Sequence, residues 1–160
     1  MISRDMSKSE IDRELEGKGE YVQIDMLNRF LEDKPGILTK KYVYTKLAQI
    51  YQKKKMFRDV GKTYDSLGIN SVAFTDKVKY FLLAAEFYIK DGAFGQADLS
   101  VKRAMQEANS YERGEIYHSI KQFYKNQAKE YEANLKFSKA SQIYEKLGKF
   151  KEYNILSKKQ

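Results

Sequence analysis

Seven residues, Leu47, Ala48, Tyr51, Phe57, Val60, Tyr64 and Leu67, constrain this 160-residue chain most, because their pattern returns 37 positions later. The second copy reads Ala84, Ala85, Tyr88, Phe94, Ala97, Val101 and Ala104, alike in residue class at every place. A further shift of 36 gives Ile120, Lys121, Tyr124, Glu130, Ala133, Phe137 and Ala140, which fails only at Lys121 and Glu130. Within each copy the first three residues share one helix face and the last four share another. Each unit is therefore two helices with a turn between them, and neighbouring units bury each other's apolar sides. Alanines at 48, 85 and 97 permit close helix approach, while the ring at 51 or 88 fills the space one turn on. "KDG" at 90–92 closes one such hairpin.

The rest of the chain agrees with helices. It has one proline, nine glycines and no stretch of sustained alternation. Apolar periodicity predicts eight helices and no sheet, near 20–33, 39–54, 57–68, 73–91, 94–109, 111–132, 134–147 and 149–158. The first presents Val22, Met26, Phe30 and Leu31, and "DKPG" at 33–36 stops it, because the residue before Pro35 disfavours helix. Thr39 is the expected cap of the next. Residues 1–19 read as a flexible charged tail, with Ile11 and Leu15 its only anchors. The repeat domain then spans 20–160, with repeats at 41–76, 77–112 and 113–148 and capping helices at 20–33 and 149–158. Residues 137–153 also fit as the first arm of a repeat, which leaves the frame of the last helices open. The fold class expected is all-α, an α-solenoid of stacked antiparallel hairpins.

With these residues the sequence resembles the tetratricopeptide repeat family over roughly 41–147. Its spacing of 36 to 37 exceeds that family's 34, and no proline closes a repeat. "AAEFYIKDGAFGQADLSVKRAMQEA" and "FSKASQIYEKLGKFKEY" are most similar to the longer-helix variant in soluble NSF attachment proteins. The resemblance implies a protein-interaction scaffold whose first helices line a concave face. By register, that face comprises Tyr42, Thr45, Gln49 and Gln52, then Lys79, Leu82, Glu86 and Ile89, then Glu115, His118, Gln122 and Lys125. Family members that clamp chaperone carboxylates use Lys and Asn where this chain has Thr45 and Gln49, which argues against that partner.

Chemistry-bearing motifs are few. "VGKT" at 60–63 lacks the earlier glycine of a phosphate loop, since Met56 stands there, and it falls inside a helix. His118 is the only histidine and cysteine is absent, so no metal site, cofactor or thiol chemistry is expected. Carboxylate pairs such as Asp12 with Glu16 lie on solvated faces, and the chain reads as no enzyme.

Net charge is +8, concentrated in two places. Residues 40–62 hold Lys40, Lys41, Lys46, Lys53, Lys54, Lys55, Arg58 and Lys62 against Asp59 alone, and 136–160 is also strongly basic. Lys40, Lys41, Lys53, Lys54, Lys55, Arg58 and Lys62 form an expected anion-binding patch, favouring an acidic peptide partner. The alternative is an RNA or ribosome binder using 40–62 and 136–160, since pentatricopeptide hairpins of similar length read bases. A third reading, an accessory of membrane fusion, follows from the attachment-protein resemblance alone. No apolar run is long enough for a membrane span, and the start "MISRDMSKSE" has no secretory core, so cytoplasmic residence is expected. An exposed solenoid end can stack on itself, which allows a homodimer.

Overall fold

The computed structural model describes residues 6–159, with side chains described as far as Gly148. Residues 1–5 of the expected tail, and the side chains of the expected cap at 149–158, lie outside that description. Among the described residues the chain forms eight helices and no strand: α1 (Lys8–Leu15), α2 (Glu20–Glu32), α3 (Ile37–Lys53), α4 (Phe57–Asn70), α5 (Phe74–Asp91), α6 (Phe94–Glu107), α7 (Ser110–Ala133) and α8 (Phe137–Lys159). The number agrees with expectation but the membership differs. Segment 8–15 is a helix, because Ser7 accepts the Glu10 N–H as a cap and Ile11 and Leu15 are buried. The helices expected at 134–147 and 149–158 are one, since Gly148 does not interrupt the backbone of α8.

Each helix packs chiefly on its neighbours in sequence. The α4–α5 interface is the most extensive, followed by α5–α6, α3–α4 and α7–α8, whereas α6 and α7 barely touch. Two apolar clusters result. Ile11, Leu15, Leu27, Phe30, Val43, Leu47, Tyr51, Val60 and Phe87 form the first. The second runs from Phe81 through Tyr88, Ala97 and Ile120 to Ala140 and Ile143, and the Tyr64 ring touches both. Two local expectations shift. α2 buries Leu27 and Phe30 while Val22 is exposed, because α1 and α3 cover only that side. Gly36 stands at the cap of α3, so Thr39 lies inside the first turn.

The turn between paired helices recurs in full atomic detail. In each, one residue adopts the left-handed conformation: Lys55 (φ 58°), Gly92 (φ 79°) and Leu135 (φ 60°). The next N–H then reaches back to a tyrosine carbonyl, Met56 to Tyr51 at 2.9 Å, Ala93 to Tyr88 at 2.9 Å and Lys136 to Tyr131 at 2.7 Å. The left-handed residue itself bonds Gln52, Ile89 or Glu132, completing a Schellman closure each time. An aromatic residue opens the second helix in all three cases, Phe57, Phe94 and Phe137.

These turns correct the third copy. Tyr131 follows Tyr88 by 43 positions rather than 36, and the equivalents become Gln127, Ala128, Tyr131, Phe137, Ala140, Tyr144 and Leu147. Only Gln127 now departs from the pattern. The difference is seven residues, two helical turns, which α7 carries at its start.

Between pairs, glycine sets the distance. A Cβ on Gly61 would stand 2.7 Å from the Tyr88 ring, and one on Gly68 would stand 2.6 Å from the Phe81 ring. Val60, Gly61 and Thr63 of "VGKT" are thus packing residues, with Val60 fully buried and Thr63 donating to the Asp59 carbonyl at 2.7 Å.

Two predictions follow from turn and notch. Leu135→Gly removes a left-handed Cβ from an exposed position, so stability should rise by about 0.5–1 kcal/mol, while Gly92→Ala should lose about 1 kcal/mol. Equal thermal midpoints for both variants and the parent would show that the turns hold no strain. Gly68→Leu drives a side chain into Phe81 and should cost at least about 1–3 kcal/mol in urea denaturation. An unchanged urea midpoint would contradict the notch.

Candidate partner-binding face

On α3 the expected contact row is engaged by α1 at Tyr42. Ile11 and Leu15, one turn apart, enter the first core, and this orientation turns Asp12 towards α3. The Tyr42 hydroxyl donates to Asp12 Oδ1, and the Lys46 ammonium lies 2.9 Å from the same oxygen. Lys8 and Lys46 stand 5.5 and 5.7 Å from the Tyr42 ring centroid. At the far end of α1, Gln23 Nε2 donates to the Leu15 carbonyl at 2.9 Å. Burial alone would raise the Asp12 carboxyl, but the Tyr42 and Lys46 bonds overrule it and hold it below the ordinary range. Lys46 is pushed up by its bond to Asp12, and Tyr42 by burial and then by Asp12. Gln49 lines a shallow depression with Ser9, Asp12 and Arg13. Thr45 is exposed and bonds the Lys41 carbonyl, and Gln52 is exposed.

The second row is mixed. Lys79 is exposed, with its ammonium 5.6 Å from the Tyr80 ring, and Glu86 is half-buried. Leu82 packs half-buried against the second core. Ile89 is 1% exposed and cannot reach a partner, because α5 is covered by α4, α6 and α7 together. It is a core residue.

In the third row Glu115 and His118 are exposed and line a shallow depression with Tyr111 and Gly114. Glu115 lies on the two additional turns of α7 and His118 just after them, so neither has an equivalent in the expected row. With the register corrected, the equivalents of Tyr42, Thr45, Gln49 and Gln52 are Gln122, Lys125, Lys129 and Glu132, all exposed. Gln122 and Lys125 were expected; Lys129 and Glu132 were missed. The signal that finds them is the six-residue step from tyrosine to phenylalanine across each turn, 51 to 57, 88 to 94 and 131 to 137.

The expected anion patch is largely occupied from within. Lys53 and Lys54 converge on Glu20 at 3.0 and 3.4 Å, and Lys54 lies 4.6 Å from the Tyr21 ring. Arg58 pairs with Asp91 at 2.9 Å, Lys41 stands 5.8 Å from the Tyr80 ring, and Lys55 is the left-handed turn residue. Lys40 is half-buried and Lys62 exposed. Of the second basic stretch, Lys146 bonds Asp98 at 3.0 Å and Lys139 lies 5.6 Å from the Tyr131 ring; residues from 149 onwards lie outside the described side chains. No helix among the described residues is long and apolar enough to cross a membrane.

Compared with protein-family models, curated proteins and solved structures, the chain gives no match.

The α1 contact titrates in a defined direction. A depressed Asp12 contributes to docking above the ordinary aspartate value of about 3.9 and loses that contribution as pH falls through its lower folded value. Amide exchange in 8–15 should therefore be slow at neutral pH and accelerate only below about pH 4, whereas Asp12→Asn should already exchange faster at pH 7. Identical exchange in the two proteins at pH 7 would remove Asp12 from the docking.

Proposed function

We propose that this chain is a short α-solenoid, similar to tetratricopeptide proteins, that acts as a non-catalytic scaffold. Its ligand in this reading is an acidic amphipathic helical segment of another protein, gripped by the first helices of the pairs. The observation that carries the reading is α1. A short helix with two apolar residues one turn apart and a flanking aspartate is held on α3 by burial of Ile11 and Leu15 and by Tyr42 and Lys46. The later rows offer comparable chemistry, exposed lysines beside half-buried apolar surface at Lys79 and Leu82, and Lys125 and Lys129 on α7. An amphipathic helix in a groove is a common recognition mode, with the apolar anchors giving affinity and the charges giving register.

The RNA-binding alternative draws on the same lysines but loses Lys53, Lys54 and Arg58 to internal acids. Capture from the native cell separates the two. The tagged chain should retain a protein after nuclease treatment, and Lys79→Glu with Lys125→Glu and Lys129→Glu should release it. Capture that survives the charge reversal would end the proposal, and capture of RNA that weakens steeply with salt would favour the alternative.

A further inference from the structure

In the corrected register, Phe57, Gly61, Tyr64 and Gly68 of α4 correspond to Phe137, Ser141, Tyr144 and Gly148 of α8. On α4 these four residues receive α5. Phe57 and Tyr64 meet Phe87 with ring centroids 6.0 and 5.8 Å apart, Tyr64 meets Tyr80 at 6.2 Å, and the two glycines seat Tyr88 and Phe81. On α8 the same face is uncovered: Phe137 is 63% and Tyr144 46% exposed, and a Cβ on Gly148 would meet nothing within 4 Å. A glycine inside a helix is destabilising relative to alanine, and no described atom lies within 4 Å of a Cβ placed on Gly148, as is also true of Gly95 and Gly114.

We propose that this face joins two copies of the chain, α8 against α8 about a two-fold axis. The template defines what the face accepts. Gly61 meets Tyr88 and Gly68 meets Phe81, so the occupant carries two rings seven residues apart, in reverse order. α8 is itself such a helix, with exposed rings at 137 and 144 and small residues at 141 and 148. Running two copies in opposite directions sets Phe137 on the second copy's Gly148 and Tyr144 on its Ser141. The two-fold repeats both contacts, as an isologous interface requires. Ser141 in place of a glycine makes the middle slightly wider than the α4–α5 seat. Lys139 and Lys146 lie off this face, held by the Tyr131 ring and by Asp98. The other available mode, α8 against α3 of a second copy, is closed because α1 and α2 cover Val43 and Leu47. The pairing therefore ends at two chains. Its contacts come from α8, and the Tyr144 hydroxyl also bonds Glu132, the last of the exposed α7 row.

Sedimentation equilibrium on the full chain tests this directly. The parent should show twice the 18.8 kDa chain mass at tens of micromolar. Tyr144→Glu and Gly148→Leu should each raise the dimer dissociation constant at least about tenfold with unchanged circular dichroism. Gly114→Leu, at another open helix glycine, should leave it unchanged. If Tyr144→Glu lowers helicity, Phe137→Glu replaces it and should behave in the same way. A parent that is monomeric at about 100 µM, or a dimer indifferent to both substitutions on α8, would overturn the proposal.

Discussion

Two aromatic rings seated on two helix glycines, Tyr88 on Gly61 and Phe81 on Gly68, hold the two halves of this molecule together. Each glycine costs its helix roughly 1 kcal/mol against alanine, and what it permits is an approach that buries two large rings at once. The closeness has further consequences. Tyr64 is trapped between Tyr80 and Phe87 and touches both apolar clusters, so the two cores are not independent. The Tyr88 hydroxyl reaches Asp65, which also accepts from Ser100 at 2.8 Å and faces Arg103 at 3.4 Å. Burial raises the Asp65 carboxyl, and those three partners offset it only in part. The polar edge of α4 and α6 is thus set by the same approach that makes the apolar seat.

Much of the fold was legible because the breaks between helices are written into the sequence. Asp33 to Gly36 breaks α2 from α3, and Gly92 needs its left-handed angle between α5 and α6. The third turn was placed near 133 but its register was missed, because Leu135 at the left-handed position gives no signal that fixes the frame. The displaced third copy nevertheless fitted at five places, for a geometric reason. Seven residues are almost two turns, so a slip of seven maps a helix face nearly onto itself, about 20° off. Apolar periodicity cannot detect such an error, and only features tied to the turn, the tyrosine carbonyl and the phenylalanine after it, fix the frame. α1 was read as a tail because two apolar residues in eight look insufficient alone; their burial depends on Leu27 and Phe30, which are distant in sequence.

The candidate site was less legible than the fold. A position in a repeat register specifies an angle around a helix and not what lies opposite. Ile89 has the register of Gln52 but is buried, because its helix is central while α3 stands near an end. The basic patch shows the same limit. Charge density along 40–62 is high, yet Glu20 and Asp91 come from elsewhere in the chain to meet Lys53, Lys54 and Arg58. Linear charge counts describe the field of a segment only where no other segment brings an opposite charge.

The first and last described helices are bounded differently. Here α5 covers α4 while α7 barely touches α6, and in helical-repeat proteins the terminal units carry a special cap. At the N-terminal end α2 and α1 supply one, closing over Val43 and Leu47 with Leu27, Phe30, Ile11 and Leu15. At the other end α8 keeps the aromatic and small residues of an internal helix, whereas a solubilising cap would carry charge there. Val101 on α6, the equivalent of Tyr64 and Tyr144, is half-buried against the second core. Tyr144, at the same register, is 46% exposed because no described helix lies across that side of α8.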